Sequence, residues 1–145
     1  MLIIERNIEI ARSPEDVFAF VSDPRNDPLW CPKVKSVEPV EDPGPGAAAR
    51  YAVIHRPVPF LPARRMDFRM LESSPPERIV WREDDGHDVI RVEYRIRSSE
   101  SGTHFTQRDE AELGAPGILH PLMRIGIGAD IARQLKQLRK QLEEG

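Results

Sequence analysis

The chain has one cysteine, Cys31, so no internal disulfide can form, and a reducing, cytoplasmic setting is the expectation. It also lacks any run of about 18 apolar residues, so no membrane-spanning helix is expected. The opening "MLIIERNIEI" carries Glu5 and Glu9 where a signal peptide would continue its apolar core, and no leader is expected. An excess of positive charge is missing too: 21 basic residues stand against 24 acidic ones, a formal net charge of −3. That balance argues against nucleic acid as a partner, because phosphate binding draws on a basic face. The four histidines are scattered and no two stand at metal-ligand spacing, while the pair Asp84–Asp85 falls in a turn. No metal is expected, and no cofactor motif occurs. Cys31 precedes Pro32 with only Lys33 as a basic neighbour, which does not describe a reactive thiol.

What the chain does have is alternation. At 145 residues it reads as one domain, 1–145, able to bury about two-thirds of its unfolded surface. In "LIIERNIEI" the residues Ile4, Ile8 and Ile10 share a face, with Glu5, Asn7 and Glu9 opposite: a half-buried strand. Pro14, Pro24 and Pro28 then forbid one long helix over "SPEDVFAFVSDPRNDPLWCPKV" and leave room for two short ones. Ser13 reads as the first N-cap, Pro14 as the first helical residue, and Glu15 and Asp16 suit the positive end of the helix dipole. Asp23 can cap the second helix, which should stop near Trp30 because Pro32 follows.

Beyond Trp30 the pattern becomes strand upon strand. "KVKSVEPVE" leads into the turn "DPGPG", "RYAVIHR" is followed by the loop "PVPFLP" with Phe60 and Leu61 near its tip, and "MDFRML", "RIVWRE", "DVIRVEYRIR" and "THFTQRDEAEL" complete six strands. The connections "SSPPE", "DDGH" and "SSESG" are short enough for a meander of hairpins. At the end, Ile131, Leu135, Leu138 and Leu142 form an apolar helical stripe, with Lys136, Arg139 and Lys140 on the exposed side.

The stretch "IEIARSPEDVFAFVSDPRNDPLWCPKV" resembles the opening of the START-like superfamily, specifically its polyketide cyclase/dehydrase and lipid-transport branch, at Ile8, Ile10, Pro14, Glu15, Val17, Phe18, Asp23, Pro24, Asn26, Trp30, Pro32 and Val34. The element order agrees over essentially the whole chain. The resemblance implies an α+β helix-grip fold: a curved seven-stranded antiparallel sheet around a long C-terminal helix, with two short helices after the first strand. It further implies a container for a small apolar or amphipathic molecule. Its members include carriers, receptors and aromatic cyclases, so fold does not choose among activities.

Strand parity supplies a candidate lining. Ile90, Val92, Tyr94 and Ile96 face one way; Phe105, Gln107, Asp109 and Ala111 must face inward because His104, Thr106, Arg108, Glu110 and Glu112 form a polar face. Met66, Phe68 and Met70 line up similarly, as do Tyr51, Val53 and His55, and Trp81 joins them although Val80 leaves that strand's phase ambiguous. Such an apolar chamber with a few polar tips suits a small-molecule pocket, and a filled core would read the same way. Trp30 is either a stacking platform or a buried anchor, and His55 either a titrating group or a structural one. The stretch "GAPGILHPLMRIGIGADI" puts Ile118, Leu122 and Ile125 off the terminal stripe, so the helix should bend or change face near Gly126 and Gly128. Arg124 and His120 would then stand at the mouth of a gate; the alternative is a proline-started first turn whose extra apolar residues, Leu122 and Ile125 among them, cover the open end of the sheet. Leu122 and Arg124 count among the candidate lining residues either way. Arg6 and Asp109, charges on apolar faces, are expected to pair across the first and last strands, with Ile8 near Gln107. The function expected is a ligand-binding or carrier domain. The alternatives are an aromatic cyclase or dehydratase and a protein-interaction module; no nucleophile–base pair supports the enzyme.

Overall fold

The computed structural model describes residues 1–40, 49–56 and 59–145. The "DPGPG" turn and the first two residues of the "PVPFLP" loop lie outside the described residues. The elements run β1 (Leu2–Ile10), α1 (Pro14–Val21), a 3-10 turn (Pro24–Asn26), α2 (Asp27–Trp30), β2 (Val34–Pro39), β3 (Arg50–His55), β4 (Arg64–Ser74), β5 (Arg78–Asp84), β6 (Val89–Ser99), β7 (Gly102–Glu112), a second 3-10 turn (Gly117–Leu119) and α3 (His120–Glu144). The strands form one antiparallel sheet in the order β1-β7-β6-β5-β4-β3-β2. Five hairpin steps give that order directly, and β1 closes it by pairing with β7. This is the helix-grip arrangement, with α3 packed along β1 and α2.

Local chemistry sets the short helices. Ser13 Oγ accepts the Asp16 N–H at 3.2 Å and Pro14 opens α1, whose Val17 and Val21 are buried. Asp23 caps the following 3-10 turn by accepting the Arg25 N–H at 3.0 Å. α2 then carries Trp30, fully buried and tilted against Tyr94 at 5.9 Å between ring centroids. The ends of α3 and β1 are tied together: Arg12 donates to the Leu142 carbonyl at 2.6 Å, and Glu143 accepts the Ala11 N–H at 3.0 Å. Gly102 permits the β6–β7 hairpin to approach that junction, since at φ +135° a Cβ would lie 2.6 Å from the Ile10 carbonyl oxygen.

Three expectations are corrected. First, the β1–β7 register pairs Ile4 with Asp109, Arg6 with Gln107 and Ile8 with Phe105, two residues from the pairing expected. Arg6 is exposed and donates to the Glu5 carbonyl at 2.8 Å, and no ion pair joins it to Asp109 among the described residues. The two-residue slip keeps every β1 side chain on its face, so hydrophobic parity alone could not exclude it. Second, α3 is one continuous helix through Gly126 and Gly128. A Cβ at Gly128 would lie 2.5 Å from Arg6 Nη2, so this glycine makes room for the guanidinium. Third, Leu122 and Ile125 do not cover the sheet: they are 71% and 70% exposed. The phase of α3 is set by the longer stripe Ile131–Leu135–Leu138–Leu142, and the first turns follow it.

Candidate functional site

The two faces of the sheet treat charge oppositely. On the convex face Glu93, 7% exposed, lies between Arg78 and Arg95, and those arginines reach on to Glu72 and Glu5. Val80 is buried opposite Glu93, which settles the phase of β5 and leaves Trp81 inward; a bulge between Met70 and Glu72 shifts the neighbouring register. On the concave face a recess of about 230 Å³ opens between the sheet, α2 and the N-terminal half of α3. Its walls carry carboxyl groups that no ion pair reaches, among the described residues.

The structure places His55, Met66, Phe68, Ile90, Val92, Tyr94, Gln107 and Asp109 on the wall of this recess. Other sequence-derived candidates lie elsewhere. Val53 and Phe105 are fully buried in the core, and Phe105 packs on Tyr94 at 5.4 Å. Tyr51 and Trp81 meet edge to face at 6.0 Å, and Met70, partly buried, packs against the same core. Trp30 is an anchor between α2 and the sheet. Leu122 and Arg124 are exposed, and Arg124 donates to the Ile3 carbonyl at 2.7 Å, satisfying an acceptor on the edge strand. The helix residues that do face the recess are Met123, Ile127, Asp130 and Gln134.

Ala111, expected to face inward, stands on the wall with Asp109, and parity could have found one further wall residue: Glu83 shares the inward face of Trp81. Met123, Ile127 and Ile131 stand at i, i+4 spacing, a signal that extends the buried stripe. Asp27, in a four-residue helix before Pro28, carried no such signal. Cys31, Lys33, Val34, Asp88 and Leu113 complete the lining.

Burial governs the chemistry of these groups. Desolvation, reinforced by Asp109, raises the Glu83 carboxyl to about 8; Lys33 opposes the shift. Burial raises Asp109 to about 6, against the hydrogen bond that Gln107 Nε2 donates to it at 3.0 Å. Asp27 is pushed well above the usual carboxylate range by burial, while the Trp30 indole beside it pulls the other way. That indole N–H finds no acceptor in hydrogen-bond geometry among the described residues. His55 is lowered to about 4 by burial and Lys33, so it stays neutral near pH 7 and adds no positive charge. Burial pushes the Cys31 thiol well up, which leaves it inert as a nucleophile. Near neutral pH the recess therefore holds a protonated Glu83 and a largely ionised Asp109, with Lys33 on the same wall. No group of three or more His, Cys, Asp or Glu placed to hold a metal occurs among the described residues.

A family model described as polyketide cyclase / dehydrase and lipid transport matches residues 1–143. The chain belongs to this family. Solved structures agree in fold. The protein TTHA0849 from Thermus thermophilus is 19% identical, covers 99% of this chain and 98% of its own, and superposes with a TM-score of 0.81. A START superfamily protein from Mycobacterium smegmatis is 17% identical over 98% of this chain and 97% of its own, with a TM-score of 0.79. The di-domain ARO/CYC StfQ from the steffimycin biosynthetic pathway is 14% identical over 98% of this chain and 50% of its own, with a TM-score of 0.75. No curated protein matches the chain. Within the polyketide cyclase/dehydrase and lipid-transport family, the helix-grip sheet and the long C-terminal helix are thus secure, and no helix is long and apolar enough to cross a membrane.

Proposed function

We propose that this member of the family binds a small amphipathic molecule between its sheet and α3, as a carrier or binding domain. The observation that carries this reading is the recess of about 230 Å³, with Met66, Phe68, Ile90 and Val92 on its apolar wall and Tyr94, Gln107 and Asp109 on its polar one. That volume lies just under the roughly 300–1,000 Å³ typical of pockets for drug-sized ligands, which favours an occupant with about one ring. Native mass spectrometry should show a bound small molecule, or an apolar fluorescent dye should bind one to one. Ala111→Phe, which projects a ring into the recess, should abolish binding while the protein stays folded. Dye binding that is unaffected by Ala111→Phe would overturn the reading, as would the absence of any stoichiometric binding.

A second reading, a cyclase or dehydratase, is favoured by one feature: Glu83 at about 8 and Asp109 at about 6 could serve as acid and base on one wall. It predicts that the protein accelerates aldol closure or dehydration of a short poly-β-ketone, and that Glu83→Gln and Asp109→Asn each remove the acceleration.

A further inference from the structure

We propose that the molecule held in this recess is a small organic cation, a protonated amine on an apolar body, whose ammonium is received by Glu83, Asp109 and the Gln107 side-chain carbonyl. The inference rests on the recess being a ligand site and adds the chemistry of the ligand's polar end. Asp27, Glu83 and Asp109 reach the recess from α2, β5 and β7, and no Lys, Arg or His pairs with any of them among the described residues. On the convex face of the same sheet the comparable carboxylate, Glu93, lies between two arginines. Lys33 lines the recess but pairs with none of the three, and a carboxyl that burial keeps protonated can give up its proton when a cation arrives beside it, so the inner group can receive a cation from outside.

Gln107 adds an independent observation. It lines the recess at 4% exposure, its amide nitrogen is committed to Asp109, and its carbonyl oxygen has no hydrogen-bond partner among the described residues. An ammonium is rich in donors, with three N–H groups and no acceptor, and answers this set of acceptors. The β-sheet register puts Gln107 beside Tyr94 and Asp109 beside Val92, two residues along β7, so the two acceptors share one patch of wall.

Binding has a proton balance. Near pH 7 Glu83 holds its proton, and an arriving R–NH3+ exchanges for it: the N–H···carboxylate contact forms and one proton goes to solvent. Affinity for an amine therefore rises as pH climbs towards about 8, the Glu83 value. The groups facing Glu83 act with known signs: Asp109 and Asp27 raise it, and Lys33 lowers it. From the other elements around the recess come Cys31, neutral His55, Tyr94, Asp88 and Asp130.

Titration calorimetry with phenethylamine and its neutral isostere phenethyl alcohol tests the inference. The amine should bind about tenfold or more tighter than the alcohol, as a charge-assisted hydrogen bond warrants. The preference should grow between about pH 6.5 and about pH 8.5, with proton release measurable from the buffer dependence of the heat. Glu83→Gln should shrink the preference, read as the ratio of the amine and alcohol affinities, and should abolish the proton release. An alcohol that binds as well as the amine would overturn the inference and leave the ligand-site reading standing, as would a preference that falls with rising pH. Failure of the amine, the alcohol and the apolar dye together would overturn both.

Discussion

The cleft between α3 and the sheet has two halves built from the same helix and the same strands. Towards the C-terminus, Ile131, Leu135, Leu138 and Leu142 are all at most 5% exposed and close on the core that holds Phe105 and Trp30. Towards the N-terminus, Met123 and Ile127 are half-buried, Leu122 and Ile125 point to solvent, and the recess remains. One half maximises packing; the other leaves volume and unpaired carboxyl groups. Such a division of labour along a single helix is what a site built on a rigid scaffold requires, because stability comes from one end and chemistry from the other.

The largest effect should come from cutting into the closed half. Leu138→Ala, at a fully buried position, should cost roughly 2–5 kcal/mol in a urea unfolding series. Met123→Ala, beside an existing void, should cost less than about 1 kcal/mol, because little additional cavity is created. Equal costs would erase the contrast between the halves.

The next effect is set by pH. The Glu83 carboxyl is raised from 4.5 to about 8, so the folded state binds more protons than the unfolded chain over that window and stability falls as pH rises through it. Asp109 acts in the same sense between 3.8 and about 6. His55, lowered from 6.5 to about 4, acts in the opposite sense between those values, because the unfolded chain holds the extra proton there. Above about 6.5 the Glu83 contribution remains. Glu83→Gln should therefore flatten the decline between about pH 6.5 and about pH 8 by roughly 2 kcal/mol. A variant with the same slope as the parent would mean that Glu83 is wet and titrates normally.

Much of the closed half was legible in the sequence, and much of the open half was not. Ser13–Pro14, the inward–outward alternation from Phe105 to Ala111, and the stripe ending at Leu142 each announced an element, because capping and burial have periods that a sequence carries. The recess has no period of its own. Trp81 and Phe105 share inward faces with Glu83 and Gln107, yet the first pair fills the core and the second lines the void; sheet curvature and helix placement decide which. The Arg6–Asp109 pairing failed for a related reason. Parity constrains β1 to even shifts but does not choose among them, and Arg6 found room over Gly128 instead.

The smallest effect belongs to the two glycines at the boundary between the halves. Both lie inside α3, where alanine is favoured over glycine by roughly 0.5–1 kcal/mol. At Gly126 a Cβ meets nothing within 4 Å, so Gly126→Ala should deliver that gain in full. At Gly128 the new Cβ would lie 2.5 Å from Arg6 Nη2 and 3.3 Å from its Cζ. The guanidinium is the free end of an exposed side chain and can move, but the hydrogen bond to the Glu5 carbonyl is then disturbed. Gly128→Ala should therefore gain less than Gly126→Ala, and Arg6→Ala should restore its missing share. Urea midpoints of the three single variants and the Arg6–Gly128 double variant provide the measurement, and equal gains at the two glycines would remove Arg6 from that position. The same proteins test the open half: if entry to the recess needs the first turns of α3 to yield, dye exchange should slow in Gly126→Ala while stability rises. Unchanged exchange would make Gly126 a surface position with no part in access.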